Sequence, residues 1–188
     1  MPSRRKPRLA RESWVAAGMK ALVERGVQAV SVEPLAKELG VTKGSFYWHF
    51  ASRAELLESL LETWEREGTL SVIEAVEARA SSPAERLERL VLTTTKTTPY
   101  DELEGALRDW ARTDALAAAA VGRVDRRRLR YVTDLLVATG LDRARSRRRA
   151  NIFYRTLIGE FTYRSTGGRA LSRRELEDVV HFLLAGQD

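Results

Sequence analysis

Leu35, Ala36 and Leu39 recur at helical spacing, the pattern stops at Gly40, and apolar residues return four apart at Phe46 and Phe50. This interruption constrains the fold more than any other feature of the chain. Gly40 can take the left-handed conformation that ends a helix, Val41 is placed to plug the corner, and Thr42 offers a hydroxyl as cap for a second short helix. With Phe46 and Phe50 turned inward, Lys43, Tyr47 and Trp48 are left facing outward. Keeping Tyr and Trp in water forgoes apolar burial, so a ligand for that face is the simpler account, and the mixture of cation and aromatics suits DNA.

The segment from Gly26 to Leu57, with Gly26, Ala36, Gly40-Val41, Lys43-Gly44, Tyr47, His49-Phe50 and Glu55-Leu56-Leu57, resembles the amino-terminal domain of the tetracycline-repressor family of bacterial transcription regulators. The resemblance covers roughly the first third of the chain. Two residues depart from the family pattern: Trp48 stands inside the Tyr-x-His-Phe element, and Arg53 replaces a lysine. Arginine keeps the charge and adds a bidentate fork. The resemblance implies an all-α protein, with a three-helix helix-turn-helix domain joined by a long helix to a carboxy-terminal ligand-binding and dimerisation domain. The expected division is residues 1–53 for the basic arm and DNA-binding domain, and 54–188 for the helical remainder. Thr42, Ser45, Tyr47, His49 and Arg53 are expected on phosphates, where they would position without reading sequence. Lys43, Gly44 and Trp48 are expected at base edges: Lys43 as a donor to guanine, Gly44 for close backbone approach, Trp48 against thymine methyls. One such helix covers few base pairs, so a homodimer on a near-palindromic double-stranded operator is implied, with reading helices roughly 34–36 Å apart. The family's carboxy-terminal helices pair as a four-helix bundle. That places the dimer interface here on Phe153, Leu157, Phe161, Leu176, Val179, Val180 and Leu183, although the same stripes could simply complete one chain's core.

Charge placement agrees with a nucleic-acid partner. The chain of 188 residues carries a net charge of +6. Residues 1–53 hold ten Lys and Arg against four acids, whereas residues 54–188 hold twenty-two of each. The excess therefore lies in the leading arm, with Arg4, Arg5, Lys6 and Arg8, and in the helix-turn-helix. Nothing resembles a membrane span, since the weakly polar run Ala115 to Val121 falls far below the ~20 residues needed. The start lacks a signal-peptide apolar block, and cysteine is absent, so a cytoplasmic protein without disulfides is expected.

Punctuation elsewhere predicts helices throughout. A helix is expected from about Arg11 to Arg25 with Trp14 in the core, and Ser31 is expected to cap the next. Ser52 with Glu55 forms a capping box opening a long helix to about Gly68, the expected mechanical link. Pro83 starts a helix running to about Thr95, and Thr93 to Thr98 reads as a polar end fraying into a loop. Further helices are expected over Asp101 to Arg112, from Asp114 to Thr139 before Gly140, after Asp142, and after a Ser172–Glu175 box. The run Asp125-Arg126-Arg127-Arg128-Leu129-Arg130 reads as a solvated face.

Inward aromatics and polar groups of the middle helices are the candidates for an effector pocket: Trp64, Thr94, Tyr100, Trp110, Tyr131, Phe153 and Tyr154. Each also reads as ordinary core. Glu104, Asp109 and Glu160 would favour a cationic effector if buried unpaired, with Arg108 and Arg164 as the expected partners. No cofactor or metal is expected. There is no HExxH, glycine-rich phosphate loop or cysteine nucleophile, and the histidines at 49 and 181 are far apart. The expectation is a ligand-responsive, sequence-specific regulator, most often a repressor released from its operator by a small molecule, and not an enzyme. An architectural helical dimer without an effector, and catalysis by Asp and Glu pairs, stay open at this point.

Overall fold

The structure, a computed structural model, describes residues 10–95 and 99–186, with the backbone alone for 99–101. The basic arm with Arg4, Arg5, Lys6 and Arg8, the Thr97-Thr98 end of the threonine run, and the Tyr100 side chain lie outside the described residues. The described residues form helices and no strand. They are α1 (Arg11–Arg25), α2 (Val32–Glu38), α3 (Lys43–Tyr47), α4 (Arg53–Glu65), a π-helical turn (Arg66–Leu70), α5 (Ser71–Glu77), α6 (Pro83–Thr94), α7 (Pro99–Trp110), α8 (Ala115–Ala138), α9 (Arg143–Ser165) and α10 (Arg173–Leu184). A short 3-10 turn at Val27–Ala29 leads into α2. The chain divides between Glu62 and Thr63, inside α4, into two compact units.

In the first unit, α1 buries Trp14, Val15, Ala17, Gly18, Ala21 and Leu22 along one face. Gly18 permits close packing, because a Cβ there would sit 3.1 Å from Leu60 of α4. Gly26 ends α1 at φ 77°, its N–H donating to the Leu22 carbonyl. Gly40 takes φ 67°, and Val41 N–H closes the corner on the Ala36 carbonyl at 2.9 Å. The hydroxyls of Ser31 and Thr42 occupy cap positions but make no capping bond, contrary to expectation. Their backbone carbonyls open the helices in the ordinary way, accepting from Leu35 N–H at 3.2 Å and from Ser45 N–H at 3.0 Å. At the start of α4, Ser52 Oγ accepts from Glu55 N–H, and the Glu55 carboxylate accepts from Ala51 N–H one residue early.

The second unit begins at the end of α4. The expected long helix to Gly68 is α-helical only to Glu65, after which the π turn widens the spiral before α5 resumes. Asp114 and Asp142 cap α8 and α9 by accepting from Ala117 and Arg145 N–H, and Ser172 and Glu175 form the capping box of α10. A further box, Ser82 with Glu85, opens α6 in front of Pro83. The core gathers Val76, Leu87, Leu90, Val91, Val132, Leu135, Leu136 and Phe153. The residues expected at a dimer interface belong largely to it. Phe153, Leu157, Phe161, Leu176 and Leu183 are buried within one chain, and Val179 and Val180 pack half-buried against the core. The apolar stripe of α9 is wide because α9 meets α7, α8 and α10. Large apolar residues left exposed on these two helices are Ile152 (53%), Tyr163 (61%) and Phe182 (42%). Among the described residues no helix is long and apolar enough to cross a membrane.

Candidate functional site

The surface of α3 is built from below. Phe46 and Phe50 are buried, Phe46 meeting Trp14 edge-on at 5.2 Å and stacking on Phe50 at 5.2 Å, while Arg11 covers the Phe50 ring at 4.5 Å. Arg11 also donates to Ser59 at 2.7 Å and pairs with Glu55 at 3.2 Å. This aromatic stack holds α3 by its inner side, which leaves Tyr47 62% and Trp48 76% exposed. Thr42, Lys43 and Gly44 are exposed beside them, and Ser45 and His49 are half-buried at the margin. A Cβ on Gly44 would meet nothing closer than Thr42 Oγ1 at 3.7 Å, so the fold itself does not require glycine at this position.

Two expected contacts are otherwise engaged. Lys43 pairs with Glu33 across the corner. Arg53 donates to the Val30 carbonyl at 2.6 Å through Nε and to the Val27 carbonyl at 2.7 Å through Nη2. Its guanidinium therefore ties the α1–α2 connection to the start of α4, where a phosphate contact had been expected. The Val27 carbonyl, which also accepts from Val30 N–H at 3.2 Å, and the Val30 carbonyl thus flank the short 3-10 segment.

The second unit holds a partly open cavity of about 280 Å³. Thr94, Tyr131, Phe153 and Tyr154 line it, together with Val72, Ile73, Leu90, Val132, Leu157 and Phe161. Trp110 is core and lies elsewhere. Trp64 stands behind the wall, its indole N–H donating at 3.3 Å to Glu104, which does line the cavity.

Glu104 is 3% exposed and is the centre of a charge cluster. Its Oε1 accepts from Arg108 at 2.7 and 3.0 Å, and its Oε2 from Arg128 at 3.0 Å. Arg108 also grips Asp125 at 2.6 and 3.2 Å, and Tyr154 O–H donates to Asp125 at 2.7 Å. Burial works against the Arg108 charge, yet the hydrogen-bonded Asp125 and the nearby Glu104 outweigh it, and its pKa is raised. Burial, with Glu104 and Asp125 near, raises that of Tyr154 against the pull of Arg128. Arg128 reaches the π turn, donating to Thr69 Oγ1 at 2.9 Å and the Gly68 carbonyl at 3.1 Å, and stands over the Trp64 ring at 5.4 Å. Two carboxylates thus face two guanidinium groups, which removes the motive for a cationic effector at Glu104. Asp109 is exposed, and the buried Glu160 accepts from Leu171 N–H at 3.0 Å with Arg164 at 3.5 Å.

Arg128, read from sequence as part of a solvated run, was the principal omission. The signal was present: 128 falls in the stripe of Val121, Val124, Val132 and Leu135 on α8. No comparable signal marks the π turn.

Residues 15–60 match the family described as bacterial regulatory proteins, tetR family. The HTH-type transcriptional regulator YwcC of Bacillus subtilis is 43% identical over 51 residues, covering 27% of this chain and 23% of that protein. The chain thus matches about a quarter of the length of such curated relatives. Over nearly the whole chain the fold is shared with a TetR transcriptional regulator from Legionella pneumophila, at 19% identity and TM-score 0.72, covering 93% of this chain and 95% of that one. It is shared equally with a putative transcriptional regulator from Saccharomonospora viridis in complex with choline, at 16% identity and TM-score 0.73, covering 92% of each. The aromatic-backed α3 lies inside the matched segment, so the similarity to the TetR family of bacterial regulatory proteins rests on residues 15–60, and the remainder shares the all-α fold of the solved structures.

Proposed function

We propose that the chain is a homodimeric, sequence-specific DNA-binding transcriptional regulator, a repressor whose hold on a near-palindromic operator is weakened by a small molecule in the carboxy-terminal cavity. The observation that carries the DNA-binding part is the exposure of Tyr47 and Trp48 beside Lys43 and Gly44 on a helix held from behind by Phe46 and Phe50. A soluble fold gains nothing from presenting two large aromatics to water unless a partner covers them. Thr42, Ser45, Tyr47 and His49 take phosphates, and Lys43, Gly44 and Trp48 face base edges. Lys43 leaves Glu33 on binding, which exchanges an exposed ion pair of small worth for a base or phosphate contact.

Two supports favour effector control. Inside the second unit, which begins at Thr63, the end of α4 is held through Trp64 on Glu104 and through Glu65, which accepts from Arg123 at 2.9 Å. The helix is continuous into the DNA-binding unit, so a change at the cavity wall has a covalent route to it. By linkage, effector and operator then weaken each other equally. For the dimer we assign the exposed sides of α9 and α10, with Ile152, Tyr163 and Phe182 in place of the buried residues considered from sequence.

The test is selection of bound sequences from a random duplex library at fixed salt, run beside Tyr47→Ala and Lys43→Ala. Enrichment of a palindrome that the variants lose or relax is expected. Binding without an enriched motif would overturn the reading. Ile152→Glu with Phe182→Glu should give a monomer by sedimentation, and a variant that stays dimeric would move the interface elsewhere.

A further inference from the structure

Every ionic group on the cavity wall already has its counter-charge. Glu104 has Arg108 and Arg128, and Glu67 has Arg66 at 3.0 Å. The Arg128 guanidinium is shared among Glu104, Gly68 and Thr69. Tyr154 and Tyr131 spend their protons on Asp125 and Glu77, both at 2.7 Å. An ionised ligand entering here would have to break one of these pairs or carry an uncompensated charge into apolar surroundings, and either course is unfavourable.

What is left unspent is hydroxyl chemistry. Thr69 is buried to 1% exposure and accepts from Arg128 at 2.9 Å, but its own proton has no acceptor among the described residues. The hydroxyl of Thr93, also on the wall, makes no hydrogen bond among the described residues. Thr69 sits in the π turn, and among the described residues its hydroxyl does not make the bond to the carbonyl four residues back that a threonine in regular helix uses. Thr94, in regular helix, shows that ordinary arrangement by donating to the Leu90 carbonyl at 2.8 Å. A buried donor without an acceptor is costly, and it sets a strong preference for a ligand that supplies one.

We propose that the cavity takes a small, neutral, largely apolar molecule bearing a single acceptor oxygen of the ketone, ester or ether kind, and that the Thr69 hydroxyl donates to that oxygen. The volume of about 280 Å³ lies at the lower edge of small-molecule sites, so the ligand is compact. Occupancy rests on the cavity alone. That occupancy releases DNA rests on the regulator reading given above.

The experiment uses the full-length protein and three probes of one skeleton, benzylacetone, hydrocinnamate and phenylpropylammonium, followed by thermal unfolding and calorimetry. Benzylacetone is expected to raise Tm by about 3 °C at ten times its Kd, and to bind at least tenfold tighter than either charged probe. Thr69→Ser should retain this preference, Thr69→Val should weaken benzylacetone about tenfold, and Val72→Trp, which fills the cavity from a half-buried position, should abolish binding. If Thr69→Val fails to fold, the probe series and Val72→Trp still decide. Equal or tighter binding of a charged probe, binding that survives Val72→Trp, or no binding by any probe overturns the proposal. Selection of operator DNA with the same preparation separates the two readings: a ligand response without DNA binding sinks the regulator reading and leaves the cavity assignment standing.

Discussion

The two units of this chain use opposite solutions for polar and aromatic side chains. The first puts its charges at the surface, stacks Trp14, Phe46 and Phe50 inside, and turns Tyr47 and Trp48 out. The second draws charges inward, setting Glu104 and Arg128 against each other behind the wall of an apolar cavity. A large aromatic held mostly in water offers area that a ligand can cover, whereas a buried charge with its counter-charges in place is structural and tells a ligand what to avoid. For the two proposed activities the contrast points to what each unit presents: exposed ring area in one, a buried hydroxyl proton in the other.

The contrast breaks first at Glu104. Replacing it with leucine leaves Arg108 and Arg128 facing each other in a buried setting, and should cost about 3–5 kcal/mol of stability by urea unfolding. Adding Arg128→Met to that variant should recover part of the loss. A single-variant cost under about 1 kcal/mol would mean that water reaches the cluster. The opposite behaviour is expected on α3. Tyr47→Ala should change stability by no more than about 0.5 kcal/mol, yet weaken specific DNA binding by about 1–3 kcal/mol in a titration at fixed salt. Were stability to fall as much as binding, Tyr47 would be a core residue and the contrast would be lost.

Smaller effects sharpen the picture within the second unit. Ser82→Ala removes one half of the α6 capping box and should cost about 1 kcal/mol, read from the denaturation midpoint. Glu175 has its carboxyl held down to about 2 from 4.5, first by the Arg169 guanidinium and then by Ser172. Its folded value lies below its unfolded one, so its contribution is complete above about pH 4.5 and disappears as pH falls towards 2. Because the group is exposed, the effect is the smallest of the series. Glu175→Gln should flatten the acid limb of stability against pH, and an unchanged limb would assign that slope to other carboxylates.

Much of the fold was legible because its signals are local. Gly26, Gly40 and Gly140 adopt the positive φ their positions suggested, and Asp114, Asp142 and Ser172 cap the helices they precede. The outward face of α3 followed from Phe46 and Phe50 alone, since two anchors four residues apart set the phase of so short a helix. Ser31 and Thr42 show the limit of such signals, for a residue type suited to a cap still chooses its rotamer by what surrounds it. Arg53 shows it again, with a charge suited to phosphate turned onto two carbonyls 23 and 26 residues earlier.

Helix count, punctuation, the corner at Gly40 and the family resemblance of the first unit were therefore legible from residues close in sequence, because torsional preference and helical periodicity act over a turn or two. Which arginine of the 126–130 run turns inward, where the helix after Glu65 widens, and whether the stripe on α9 is core or interface were decided only when distant segments met. The physical reason is tertiary in each case. A buried charge is tolerated only opposite its partner, Arg128 of α8 donates to the Gly68 carbonyl inside the widened turn, and an apolar stripe is interface only if its own chain leaves it bare. Arg128 meets Glu104 across 24 residues and Gly68 across 60, separations over which no local pattern carries information.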